Sequence, residues 1–198
     1  GSHMTHGIFF CDSYMTCGAG HLGVNYDRVL KMGYGAIRKE IEEKKAALDL
    51  SNPDDIQKDV FYQAALISNQ AATDLIRRHA TALKSKAAKE ADETRKAELL
   101  KMAANCDWIA TEAPRTFWEA LQAVEFVNMM VLLESNGHSI SYGRFDQYMY
   151  PFYKHDLETG AATREFCQEL IENFHIKIWE KNKVRTHQSV EVLSLIHI

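Results

Sequence analysis

Glu134-Ser-Asn-Gly-His-Ser-Ile-Ser-Tyr-Gly-Arg-Phe-Asp-Gln-Tyr148 is the place where a strongly apolar run stops and a dense polar series begins. The run before it, Phe117 to Leu133, is apolar on nearly every side. A helix of that kind lies in a core or against partner chains. Asn136-Gly137 supplies residues able to take positive φ, which ends a helical hydrogen-bond ladder. His138, Ser139, Ser141, Arg144 and Asp146 follow at once. A chain that leaves a buried helix and presents this many hydrogen-bonding groups is either filling a polar site or knitting a turn. Arg144, with its rigid guanidinium fork, and Asp146, at a helix start, read as loop tie and cap.

Outward from this stretch, helical signals dominate. Asp146 to Tyr153 forms a short amphipathic helix ended by His155-Asp-Leu-Glu-Thr-Gly160, and Thr163 caps a last helix carrying Phe166, Leu170, Phe174 and Ile178. Toward the N-terminus, Ala113-Pro-Arg-Thr116 ends one unit and caps the apolar run. Before it lies a helix with Leu99, Leu100, Met102, Ala103 and Cys106, ending near Ile109. Before that lies a long one with Ile56, Val60, Ala64, Ile67, Ala71, Leu75 and Leu83. Those positions predict one continuous buried stripe. Ser51-Asn-Pro-Asp-Asp55 is its turn and cap, with Pro near the first helical position. The first helix starts at an Asn25 cap, and Gly33 and Gly35 in its middle admit close approach by another helix. Residues 5–24 are a Gly-rich loop, with a short strand near Ile8–Phe10. The reading is a mainly α fold: a bundle of long antiparallel helices with Gly-rich loops and at most one or two short strands.

Composition narrows the function classes. The 198 residues carry a net charge of −4 and are 46% hydrophobic, enough for one domain with a core. The mild acidity and the lack of long basic runs argue against a nucleic-acid or polybasic membrane surface. No apolar stretch reaches the ~18–20 residues that span a bilayer. Cys11, Cys17, Cys106 and Cys167 show no paired metal spacing and fit free thiols in a reducing cytoplasm; no metal site is expected. Gly1-Ser-His-Met4 reads as a tag scar and Leu193-Ser-Leu-Ile-His-Ile198 as a non-native, adapter-derived tail, leaving residues 5–192 as a single helical domain.

The run Glu134-Ser-Asn-Gly-His-Ser-Ile-Ser-x-Gly-Arg-Phe-Asp-Gln-Tyr-Met-Tyr-Pro151, with Thr116-Phe-Trp-Glu-Ala-Leu-Gln122 before it, resembles the N-terminal third of glycyl radical enzymes. The nearest branch is that of pyruvate formate-lyase-like glycerol or diol dehydratases and choline lyases, and the likeness extends from about Gly7 to Arg185. The resemblance implies a helical shell around a barrel and a cytoplasmic enzyme of an anaerobic bacterium. Its substrate would be a small polyol, and its glycyl radical would be installed by an S-adenosylmethionine-dependent activating enzyme. It also implies that His138 and Ser139 contact substrate hydroxyls, joined by His21 from the Gly18-Ala-Gly-His-x-x-x-x-Tyr26 stretch. An imidazole suits this because one nitrogen donates while the other accepts.

The family's Gly-Cys-Val-Glu segment with the thiyl cysteine and its Arg-Val-x-Gly-Tyr loop with the radical glycine are both missing from this sequence. The expectation is a truncated enzyme with a partial polyol-binding surface, no cofactor of its own and no radical activity alone. Two other readings stay open. One is a stand-alone hydrolase using Glu134, His138 and Asp146, with Glu125 nearby. The other is a non-catalytic module in which the apolar Phe117–Leu133 helix finds cover in a homodimer.

Overall fold

The computed structural model describes residues 22–135 and 140–181. The expectations for the Gly-rich start with its Ile8–Phe10 strand, for Cys11, Cys17, His21, His138 and Ser139, and for the C-terminal tail lie outside the described residues. Within them the chain runs β1 (Leu22–Gly23), α1 (Tyr26–Ala46), α2 (Pro53–Ala87), α3 (Glu93–Ile109), α4 (Phe117–Ser135), β2 (Ile140–Ser141), α5 (Phe145–Thr159) and α6 (Arg164–Glu180). The mainly α expectation holds, with two two-residue strands.

The helix starts are written in side chains. The Asn25 carboxamide accepts from the Arg28 N–H, Asn52 from the Asp54 N–H ahead of Pro53 at the first helical position, and Thr163 from the Phe166 N–H. Each satisfies a backbone donor that the first turn leaves without an intrahelical partner. α5 runs past Tyr153 to Thr159 and stops at Gly160, whose φ of 72° is the left-handed cap that glycine adopts without penalty.

α4 is the centre. It touches each of the other five helices and β2, and it buries Phe117, Ala120, Leu121, Ala123, Val124, Phe126, Val127 and Asn128. The expectation that this apolar helix needs a second copy for cover is thereby corrected: α1, α2, α3, α5 and α6 cover it, and only its C-terminal end opens, at Leu133.

α2 corrects a second expectation. Its buried face is Asn69, Ala72, Thr73, Ile76, Ala80 and Ala87, not the stripe through Ile56, Val60 and Ile67, which points to solvent. The face that packs is small and partly polar. Asn69 donates to the Tyr34 carbonyl of α1 at 3.0 Å, and Thr73 donates to the Ala110 carbonyl at 3.1 Å. These bonds satisfy the buried polar groups, and the alanines let neighbouring backbones come close.

Gly33 shows the closest approach. α1 kinks there at φ 70°, and a Cβ would sit 2.7 Å from the Thr111 carbonyl oxygen and 2.5 Å from the Ala113 nitrogen. What approaches is the α3–α4 connection, not a helix. Gly35 also donates to the Thr111 carbonyl, at 2.7 Å. Trp108 pins the same connection by donating to the Ala113 carbonyl at 2.8 Å, with the Arg115 guanidinium stacked 3.7 Å over its ring.

Candidate functional site

The two segments singled out by the sequence meet at β1 and β2. These strands pair in parallel, with Leu22 opposite Ile140 and Gly23 opposite Ser141. Leu22 is the residue after His21, and Ile140 the residue after Ser139. The pairing joins the entry to α1 with the exit from α4. The Leu22 side chain is exposed, and a Cβ built on Gly23, on the opposite face of the strand, meets nothing among the described residues.

Behind the strands stands a network that sequence reading missed. Lys181, just past α6, donates to Glu125 Oε2 at 2.7 Å, Asn128 Oδ1 at 2.8 Å and the Tyr142 hydroxyl at 3.0 Å. An ammonium has three donors, and all three are used. The Asn128 amide donates onward to the Tyr26 hydroxyl at 3.1 Å. The Tyr26 ring lies between those of Tyr142 and Tyr148, at centroid distances of 5.9 and 5.7 Å, and the Tyr148 hydroxyl donates to the Tyr142 carbonyl at 2.8 Å. Burial, first of all, pushes the Tyr26, Tyr142 and Tyr148 phenols above their usual range, with the Glu125 carboxylate adding to it for Tyr26 and Tyr142. They remain neutral, and α1, α4, α6 and the residue after β2 become one rigid block. Glu125 and Asn128, three apart on a mostly apolar helix, were the sequence signal for this network.

The residues of the hydrolase reading are placed differently. Glu134 lies exposed at the end of α4. Asp146 is exposed in the first turn of α5, where the helix cap is Arg144, which makes no capping bond. Among the described residues, the only ion pair of Arg144 or Asp146 is with the other, at 3.7 Å. Among the described residues, therefore, Asp146 makes no capping bond and Arg144 ties no other segment: both side chains are exposed and pair only with each other. Glu125 is held by Lys181 rather than free to act as a base. His138 lies outside the described residues.

The described thiols are equally unsuited to chemistry. Cys106 and Cys167 are free and buried. Burial, with the Asp107 carboxylate behind it, pushes the Cys106 thiol up to about 12, and burial followed by Asp156 raises Cys167. A thiol at that level presents almost no thiolate at neutral pH.

Comparison with known proteins then decides the family. The pyruvate formate lyase-like family model matches residues 2–195. The chain belongs to the pyruvate formate lyase-like family. This member is 38% identical over 192 residues to the (2S)-3-sulfopropanediol dehydratase of Klebsiella oxytoca, a match covering 97% of this chain and 23% of that protein. Its fold superposes on the glycerol-bound form of the B12-independent glycerol dehydratase from Clostridium butyricum with a TM-score of 0.82 and 40% identity, over 89% of this chain and 22% of that one. It superposes on a glycyl radical enzyme from Archaeoglobus fulgidus with a TM-score of 0.76 and 37% identity, over 81% of this chain and 21% of that one. This member of the family thus spans about a fifth of the length of the relatives it matches, and no helix among its described residues is long and apolar enough to cross a membrane.

Proposed function

We propose that this chain carries one wall of the substrate pocket of a glycyl radical dehydratase. In that wall His21, His138 and Ser139 hold the hydroxyl groups of a small diol or polyol. The observation that carries the reading is the parallel pairing of Leu22–Gly23 with Ile140–Ser141. It joins the segments that follow the two predicted binding positions, while the Lys181 network anchors the α1, α4 and α6 ends behind them. Imidazole and hydroxyl groups suit the task because each both donates and accepts, as a substrate hydroxyl does. The relatives' printed names, a sulfopropanediol dehydratase and a glycerol-bound glycerol dehydratase, support the same substrate class.

The chain alone supplies binding and no radical chemistry. Neither the Gly-Cys-Val-Glu segment nor the Arg-Val-x-Gly-Tyr loop occurs in its sequence, and the buried thiols of Cys106 and Cys167 are no substitute.

The test is a glycerol titration followed through the histidine imidazole resonances. Saturable shifts are expected at His21 and His138, lost in His138→Ala, with His155 and His175 on α5 and α6 unmoved. Shifts absent, or equal at all four histidines, would contradict the reading. Incubation with an activating enzyme and S-adenosylmethionine is expected to give no glycyl radical doublet by electron paramagnetic resonance, and a doublet would contradict the second half.

A further inference from the structure

A polar cleft of about 150 Å³ opens between α1, α2 and the α3–α4 connection. Arg38 of α1, Asn69, Gln70, Thr73 and Arg77 of α2, and Thr111 line it. Positions 69, 73 and 77 step by four, which sets them on one face of α2. Gly35 brings the connection close: its N–H donates to the Thr111 carbonyl at 2.7 Å, and a Cβ there would lie 3.0 Å from that oxygen. The cleft shares no residue with the strand pair or with the Lys181 network.

Two guanidinium groups line this cleft, and no carboxylate does. Arg38 donates from Nη1 to Gln70 Oε1 and from Nε to Glu42 Oε1, both at 2.8 Å. Its other Nη group is left over. Arg77 is exposed, and its guanidinium makes no hydrogen bond or ion pair among the described residues. Planar forks of this kind match an oxyanion. The wall also holds acceptors with nothing to accept. Asn69 is 8% exposed, and its carboxamide nitrogen donates to the Tyr34 carbonyl. A carbonyl only accepts, so that bond fixes the orientation of the amide. Its oxygen is left without a partner among the described residues. Thr73 spends its hydroxyl hydrogen on the Ala110 carbonyl and keeps only lone pairs. A buried acceptor left unpaired is costly.

We infer that this cleft is a binding site for a small oxyanion that keeps an O–H, with inorganic phosphate as the fitting chemistry. Arg77 and the free edge of Arg38 take its charged oxygens. Asn69 Oδ1 and Thr73 Oγ1 accept from its hydroxyl. A neutral diol supplies the O–H but no charge for the guanidinium groups. Sulfate and acetate supply charge but no O–H at neutral pH, so either would set its own oxygens against those of Asn69 and Thr73.

Calorimetric titration of the whole chain with phosphate, sulfate and acetate at matched ionic strength tests it. Phosphate is expected to bind saturably at one site and to raise the thermal midpoint. Sulfate and acetate are expected to bind on the order of tenfold more weakly or worse, because each leaves the two acceptors unpaired. Arg77→Gln, a change at an exposed position, should keep the helical circular dichroism and lose on the order of tenfold or more in phosphate affinity. Arg164→Gln, at an exposed arginine of α6, should lose none. Absence of saturable phosphate binding, or equal losses in the two variants, would overturn the inference. So would acetate or sulfate binding as tightly as phosphate; for acetate, that result would make the cleft a seat for a carboxylate, such as a side chain of a longer polypeptide.

Discussion

Glu119 shows how single residues hold this chain together. It sits three residues after Thr116, whose hydroxyl accepts from the Glu119 N–H at 3.2 Å. Its own carboxylate accepts from the Arg115 backbone N–H at 2.7 Å and from the Arg115 guanidinium at 2.6 Å. The carboxylate is fully buried at the start of α4, where the helix dipole favours negative charge. Burial pushes its pKa up, but the Arg115 bonds and charge outweigh this and leave it below the ordinary value of 4.5. A depressed folded-state pKa means that the stabilisation is fully present above the unfolded pKa and is lost as pH falls through the folded one. Urea midpoints of wild type should therefore fall as pH is lowered below about 4.5. Glu119→Gln should be less stable at pH 7, by roughly 1–3 kcal/mol, and its deficit should shrink on acidification. A deficit independent of pH would mean that the carboxylate's charge contributes nothing.

At the scale of elements, the connection between α3 and α4 decides how α1 can pack. Gly33→Ala would place a methyl against the backbone of residues 111–113 and a side chain at positive φ. It should cost about 3 kcal/mol or more, read as a lower thermal midpoint, whereas Gly143→Ala, with open space around it, should cost only the positive-φ strain. Equal losses would show that close approach is not what Gly33 provides. Much at this scale was legible: Asn25, Asn52-Pro53, Thr116, Thr163 and Gly160 fix where helices begin and end through bonds within a few residues. The face that α2 buries was not. Asn69 and Thr73 are polar in sequence and are buried because carbonyls of Tyr34 and Ala110, distant in the chain, accept from them. The visible apolar stripe is real as a pattern, but it faces outward.

At the scale of the whole molecule, the candidate site exists only through long-range pairing. The motif around His138 was legible through its likeness to a family. Its meeting with the segment after His21 was not, because two-residue strands carry no alternation to read, and Leu22-Gly23 and Ile140-Ser141 identify each other only once α1 and α4 are packed. Lys181 escaped notice for the same reason: its three acceptors come from α4 and from Tyr142. The central claim is that this packing brings the two predicted binding segments side by side. The most direct measurement is the set of backbone nuclear Overhauser contacts between Leu22–Gly23 and Ile140–Ser141 in isotope-labelled protein. The parallel register predicts amide-to-Hα contacts across both partner pairs, and shifts of these amides when glycerol is added. Absence of those contacts in the folded protein would contradict the account, because the parallel pairing is the observation that brings the segments after His21 and Ser139 together.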